Sequence, residues 1–98
     1  MLTADTITDD DIRRLLSLDQ RPSTAHTVNL AMGWVGGARG AKRAARQRCA
    51  DILNARVWDD ARDVAVRATG HPRFCDCFEC AGIREEAIRA AFAGEVRR

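Results

Sequence analysis

Long apolar runs are missing from this sequence, and their absence excludes one class of protein. No stretch approaches the roughly 18–20 consecutive apolar residues that a membrane-spanning helix requires. Aromatic residues are scarce too, at 5% of the chain. Much of the 46% apolar share is alanine, which buries little area, so the core is expected to be thin and helix-rich. At 98 residues the chain is expected to form one helical domain, 1–98, near the lower limit at which a core holds without help. No segment alternates apolar and polar residues at the period of a strand. Repeats, low-complexity runs and long linkers are absent as well. The opening MLTADTITDDD is acidic where a secretory signal would be basic and then apolar, so a cytoplasmic setting is expected.

Catalytic signatures are equally lacking. There is no His-Glu-x-x-His, no deaminase-type His-x-Glu, no nucleophile elbow and no dinucleotide fingerprint. The stretch GWVGGARG is glycine-rich, but no strand precedes it and the Lys-Ser/Thr pair of a phosphate-binding loop is missing. Neither an enzyme nor a small-molecule substrate is expected.

The chain does concentrate cysteine. Of four cysteines, three fall within six positions of HPRFCDCFEC, residues 71–80. In a reducing compartment, clustered thiols are metal ligands or redox groups more often than disulfides. Cys77 and Cys80 have the i, i+3 spacing that lets a tight turn present two thiolates to one zinc ion, and Cys80 sits where a helix begins. Cys75 reaches the same ion if the loop curls. His71 is the leading fourth ligand, and Cys49 is the alternative, which would complete an all-thiolate site. Zinc is the favoured metal, with an iron–sulfur cluster as the other possibility. A thiolate-rich site of this kind is structural rather than catalytic. Without metal, the same loop is a set of reduced thiols or a labile Cys77–Cys80 disulfide. Phe74 and Phe78 flank the thiols and are expected to shield them, and Trp34 and Trp58 are expected in the core.

Helical spacing organises the rest. Thr8 followed by Asp9, Asp10 and Asp11 predicts a helix start, with Ile12, Leu15 and Leu16 on one face over about 9–18. Arg21-Pro22 breaks this helix. Ser23 or Thr24 is expected to cap a second one, with a stripe of Ala25, Val28, Ala31, Met32 and Val35 that ends at Gly36, Gly37 and Gly40. From Ala41 to Thr69 no Gly or Pro occurs. Yet Ala45, Cys49, Ile52 and Leu53 point about a third of a turn away from Val57, Ala61, Val64, Ala65 and Ala68. A break or kink near Asn54 to Asp60 is therefore expected. A last helix over about Ala81 to Ala93 would bury Ile83, Ala87, Ile88 and Phe92. The fold class is all-α: a bundle of four to five short helices with a C-terminal Cys-rich metal-binding loop.

Charge is segregated along this framework. The net charge of +2 resolves into −3 over residues 1–20, +6 over 21–58 and −1 over 59–98. If a helix begins near Arg39, then Arg39, Lys42, Arg43 and Arg46 share a face within about 100° of arc, beside the apolar stripe. Four cations next to a glycine-rich turn can meet a phosphate backbone without reading bases. The other reading is a solvated face partly paired with the acidic N-terminal helix.

Two segments carry a resemblance. Ile7-Thr8-Asp9-x-x-Ile12-Arg13-x-Leu15 resembles the opening of a group of short helical proteins of prophages and other bacterial mobile elements. Ala45-Arg46-x-Arg48-Cys49-Ala50-x-Ile52-Leu53-Asn54-Ala55 is similar to the alanine-rich stretch that follows in that group. The similarity covers a little over half the chain and departs after Val57. It implies a mobile-element setting and carries over no functional residue. The sequence thus points to a zinc-stabilised, non-enzymatic accessory protein that binds nucleic acid through the basic face. The alternatives are a protein-binding inhibitor or adaptor of a host complex, and a thiol or iron–sulfur redox sensor.

Overall fold

The protein is described by a computed structural model over residues 1–96. Its elements are α1 (Asp9–Leu18), α2 (Pro22–Met32), α3 (Ala41–Thr69) and α4 (Phe78–Val96), with no strand among the described residues. The all-α class follows as the sequence anticipated. Contacts divide the chain into two compact units, Met1–Asn54 and the segment from Ala55 onward, and α3 contributes one half to each.

In the first unit, α1 begins at a capping box. The Asp11 amide donates to Thr8 Oγ1 at 3.2 Å, and the Thr8 amide donates to the buried Asp11 carboxylate at 3.1 Å. Helix α1 packs on α2, with Ile12, Leu15, Val28 and Ala31 buried. The start of α2 differs from expectation. Neither Ser23 nor Thr24 caps it; Arg21 occupies the cap position and Pro22 opens the first turn, where its missing N–H costs nothing. Thr24 instead donates its hydroxyl to Asp19 at 2.9 Å. The same carboxylate accepts from the Arg21 guanidinium and backbone amide, which holds it well below the usual carboxylate range. Gly33, not the later glycines, ends α2: its φ of 75° is left-handed, and Trp34 and Val35 are thereby displaced into an exposed loop. Trp34 is therefore not a core residue, whereas Trp58 is half-buried.

The N-terminal segment is tied to the first half of α3 by hydrogen bonds that no local pattern announces. The buried Asn54 amide accepts from the Leu2 N–H and donates to the Leu2 carbonyl, both at 2.9 Å. One helical stretch earlier, Gln47 accepts from the Ala4 amide at 3.0 Å. Leu2, Ala4 and Ile7 are buried, as are Ala45, Cys49, Ala50 and Leu53 of α3.

The expected break between Asn54 and Asp60 does not occur; α3 runs through that segment as one α-helix of 29 residues. The divergent stripes are buried only in part, with Val64 and Ala68 of the second exposed, and their buried members serve different units. Ala45, Cys49 and Leu53 are buried in the first, and Ala61 and Ala65 in the second. One continuous helix can bury two differently phased faces when each has its own partner, and no Gly or Pro in 41–69 disfavours helix. Gly70, with φ of 73°, then terminates it. In the second unit Ile83, Ala87, Ile88 and Phe92 of α4 are half-buried. Among residues 55–92, only Ala61, Ala65 and Cys80 are buried.

Candidate metal centre

The loop between Gly70 and Phe78 folds back on itself. The Cys75 amide donates to the Pro72 carbonyl at 3.0 Å, and α4 begins at Phe78, three residues before the expected start. Cys80 consequently lies in the first turn of α4, and its amide donates to Cys77 Sγ at 3.5 Å. The ligand atoms of His71, Cys75, Cys77 and Cys80 all lie within 4.8 Å of one another. His71 Nδ1 stands 3.8 Å from Cys75 Sγ, 3.4 Å from Cys77 Sγ and 3.3 Å from Cys80 Sγ. Tetrahedral zinc, with bonds of about 2.3 Å to sulfur and about 2.1 Å to nitrogen, would separate nitrogen from sulfur by about 3.6 Å. The donors are thus already spaced for one ion.

Electrostatics separate the three thiols. The backbone amide of Cys80 and then its side chain, with smaller help from Cys75 and His71, lower Cys77 to about 6. At Cys80 the Thr69 hydroxyl favours the thiolate, but burial together with Cys77 and Cys75 outweighs it and pushes the thiol up. The pair behaves as one site in which the proton leaves Cys77 first and that charge retains the proton of Cys80.

Two supporting residues were not singled out in the sequence. Arg84, its side chain 12% exposed, donates to the Cys75 carbonyl at 2.6 Å and to Asp76 at 3.0 Å, clamping the loop from the second turn of α4. Thr69 donates to the Ala65 carbonyl, accepts from the His71 amide at 3.1 Å and lies 3.5 Å from Cys80 Sγ. Threonine before a helix-ending glycine was the only hint, and for Arg84 there was none. Such outer contacts fix ligand orientation.

The alternative fourth ligand, Cys49, is not part of this group. It is fully buried in the first unit, and burial pushes its thiol up against the opposing pull of Arg48 and Arg46. Phe74 and Phe78 do not shield the site: they are 73% and 96% exposed. With Cys77 and Cys80 turned toward the ligand cluster, Phe78 between them is carried to the outside of the first turn. Phe74 lies under the Arg62 guanidinium, 5.4 Å from ring centre to carbon.

The basic residues are only partly free. Arg39 precedes α3 and is exposed, as is Lys42 in its first turn. Arg43 pairs with Asp5 at 2.6 Å. Arg46 is largely enclosed: it pairs with Asp9 at 3.0 Å and donates to the Ile7 and Ala31 carbonyls. Two of the four cations therefore hold the N-terminal segment and α1 to α3.

Comparison of the chain with protein-family models, curated proteins and solved structures returns no match. Among the described residues, no helix is long and apolar enough to cross a membrane.

Proposed function

We propose that the second unit is stapled by a structural zinc ion held by His71, Cys75, Cys77 and Cys80, and that the protein is a non-catalytic module that binds another macromolecule, with a protein as the favoured partner. The observation that carries the staple is the convergence of four ligand atoms within 4.8 Å, and a protein is favoured over nucleic acid because Arg43 and Arg46 of the basic face already meet Asp5 and Asp9. One point of convergence suits a single ion; an iron–sulfur cluster distributes its ligands over several irons. Energetics support the same reading. Ala61, Ala65 and Cys80 are small, and at about 0.8 kcal/mol per buried CH2 they supply a few kcal/mol at most. A structural zinc site contributes on the order of 10–16 kcal/mol in zinc-finger peptides. The ion would add several times what these three side chains supply.

Metal content per chain on anaerobically purified protein tests the staple, with one colourless zinc expected. Cys77→Ser is expected to abolish stoichiometric zinc, and Cys49→Ser to retain it. Zinc retained by Cys77→Ser, or lost by Cys49→Ser, would overturn the ligand set.

A nucleic-acid partner, in the mobile-element setting that the resemblance implies, is the second reading. Arg39 and Lys42 are exposed, and the Arg43–Asp5 pair is itself 69% exposed on both sides, so a phosphate can replace the carboxylate. Binding to mixed-sequence oligonucleotides would then weaken steeply with salt and with Lys42→Ala. Absent or salt-independent binding removes that reading.

A further inference from the structure

The most exposed large apolar residue in the described chain stands on the metal loop. Phe78, at 96% exposure, opens α4 with no ring or cation against it, whereas Phe74 four residues earlier carries Arg62 over its face. Its neighbours along the helix are exposed as well. Gly82 follows at i+4, Glu85 and Glu86 at i+7 and i+8, and Glu79 is adjacent. Asp76 is paired with Arg84, but Glu79, Glu85 and Glu86 have no ion-pair partner among the described residues, and Arg89, exposed on the same face, offsets only one of their three charges.

Gly82 adds an independent observation. It lies inside a helix without a positive φ, and a Cβ built there would meet nothing within 4 Å. Neither a turn nor internal packing calls for glycine, which weakens a helix relative to alanine. What glycine does provide is bare, flat backbone one turn along from the Phe78 ring.

We propose that the exposed strip of α4 formed by Phe78, Gly82 and the carboxylates of Glu79, Glu85 and Glu86 is a docking surface for an arginine-bearing basic segment of a partner protein. A guanidinium stacks on the Phe78 ring as Arg62 does on Phe74, lies over Gly82, and meets the unpaired carboxylates. Charge complementarity selects this occupant. A nucleic-acid backbone would face three carboxylates against the single cation Arg89 at the same place and be repelled. The surface rests on the staple reading, because the ion fixes the loop from which Phe78 projects.

The test is an amide-resolved NMR titration of the full, isotope-labelled chain, whose zinc content is measured on the same sample. The probes are a hexa-arginine peptide, a hexa-lysine peptide, a hexa-glutamate peptide and a single-stranded oligonucleotide. Expected are shifts centred on Phe78 to Glu86 with hexa-arginine, weaker ones with hexa-lysine and none with hexa-glutamate. Phe78→Ala should weaken hexa-arginine binding about tenfold, and Phe78→Trp should preserve it. Gly82→Ala should raise the melting temperature and still weaken binding. Equal binding by Phe78→Ala, or oligonucleotide shifts at the same amides, overturns the proposal. Zinc held at one per chain with no peptide binding overturns the docking surface alone. Absence of zinc overturns the staple, and the titration of that same sample still decides the surface.

Discussion

Asn54 shows what a single polar residue does when it is buried with its hydrogen bonds complete. Its amide satisfies both backbone groups of Leu2, so truncation strands a donor and an acceptor together. Asn54→Ala is expected to cost about 2 kcal/mol in urea unfolding, against roughly 0.5 kcal/mol or less at an exposed control position. In the sequence this residue belonged to an apolar-phase argument about α3; the 52-residue separation of its partner put the role beyond local reading. Cys77 makes a second residue-scale prediction. Its thiol is lowered from 9.0 to about 6 in the folded, metal-free chain. A depressed acid stabilises the fold above its unfolded value and loses that contribution as pH falls through the folded one. Stability of the metal-free protein should therefore decline from pH 9 towards pH 6, and Cys77→Ser should flatten that dependence. Thiolate absorbance that titrates only near 9 would contradict the hydrogen-bond geometry.

At the scale of elements, α3 is the informative case. The apolar phase change along 41–69 was legible, and the inference of a break was reasonable if one helix has one partner. Two compact units supply two partners, and the helix stays whole. Ala55 is exposed at the boundary between the units, so Ala55→Pro probes continuity with little packing change. A continuous helix loses a backbone hydrogen bond and suffers a steric clash there, at a cost of about 3 kcal/mol or more. A near-neutral result with unchanged circular dichroism would indicate a natural break. The ends of elements were read unevenly. Thr8 was correctly placed as a cap because capping is local. The start of α2 was missed because Asp19 draws the Thr24 hydroxyl away from the helix end.

For the molecule as a whole, the division into two units predicts divided stability. The first unit buries Ile12, Leu15, Val28, Cys49 and Leu53, while the second has a core of small side chains and the ligand cluster. Chelation should therefore lower hydrogen-exchange protection in α4 and the second half of α3 while leaving the metal-free unit marginally folded. Amides of α1, α2 and the Asn54-bound N-terminus should stay protected. Uniform loss of protection along the chain would mean that the ion stabilises both units as one. The charge segregation seen along the sequence also changes meaning at this scale. Arg43 and Arg46 meet Asp5 and Asp9, so part of the −3 and +6 imbalance is resolved inside the first unit.

Neighbours in the chain set three features: the helical class through periodicity, the α1 start through its cap, and the three loop cysteines through their spacing. The sequence alone also ranked His71 ahead of Cys49, since three intervening positions before Cys75 let an imidazole fold over the loop. Tertiary structure decided what depends on distant groups. It selected His71 over Cys49 by placing Nδ1 among the three sulfurs, kept α3 unbroken, and committed Arg43 and Arg46 to internal partners. It turned Phe74 and Phe78 outward, because the cysteines beside them point in. Local preference is written in adjacent residues; which of two competing partners a side chain meets is set only when segments far apart in the chain come together.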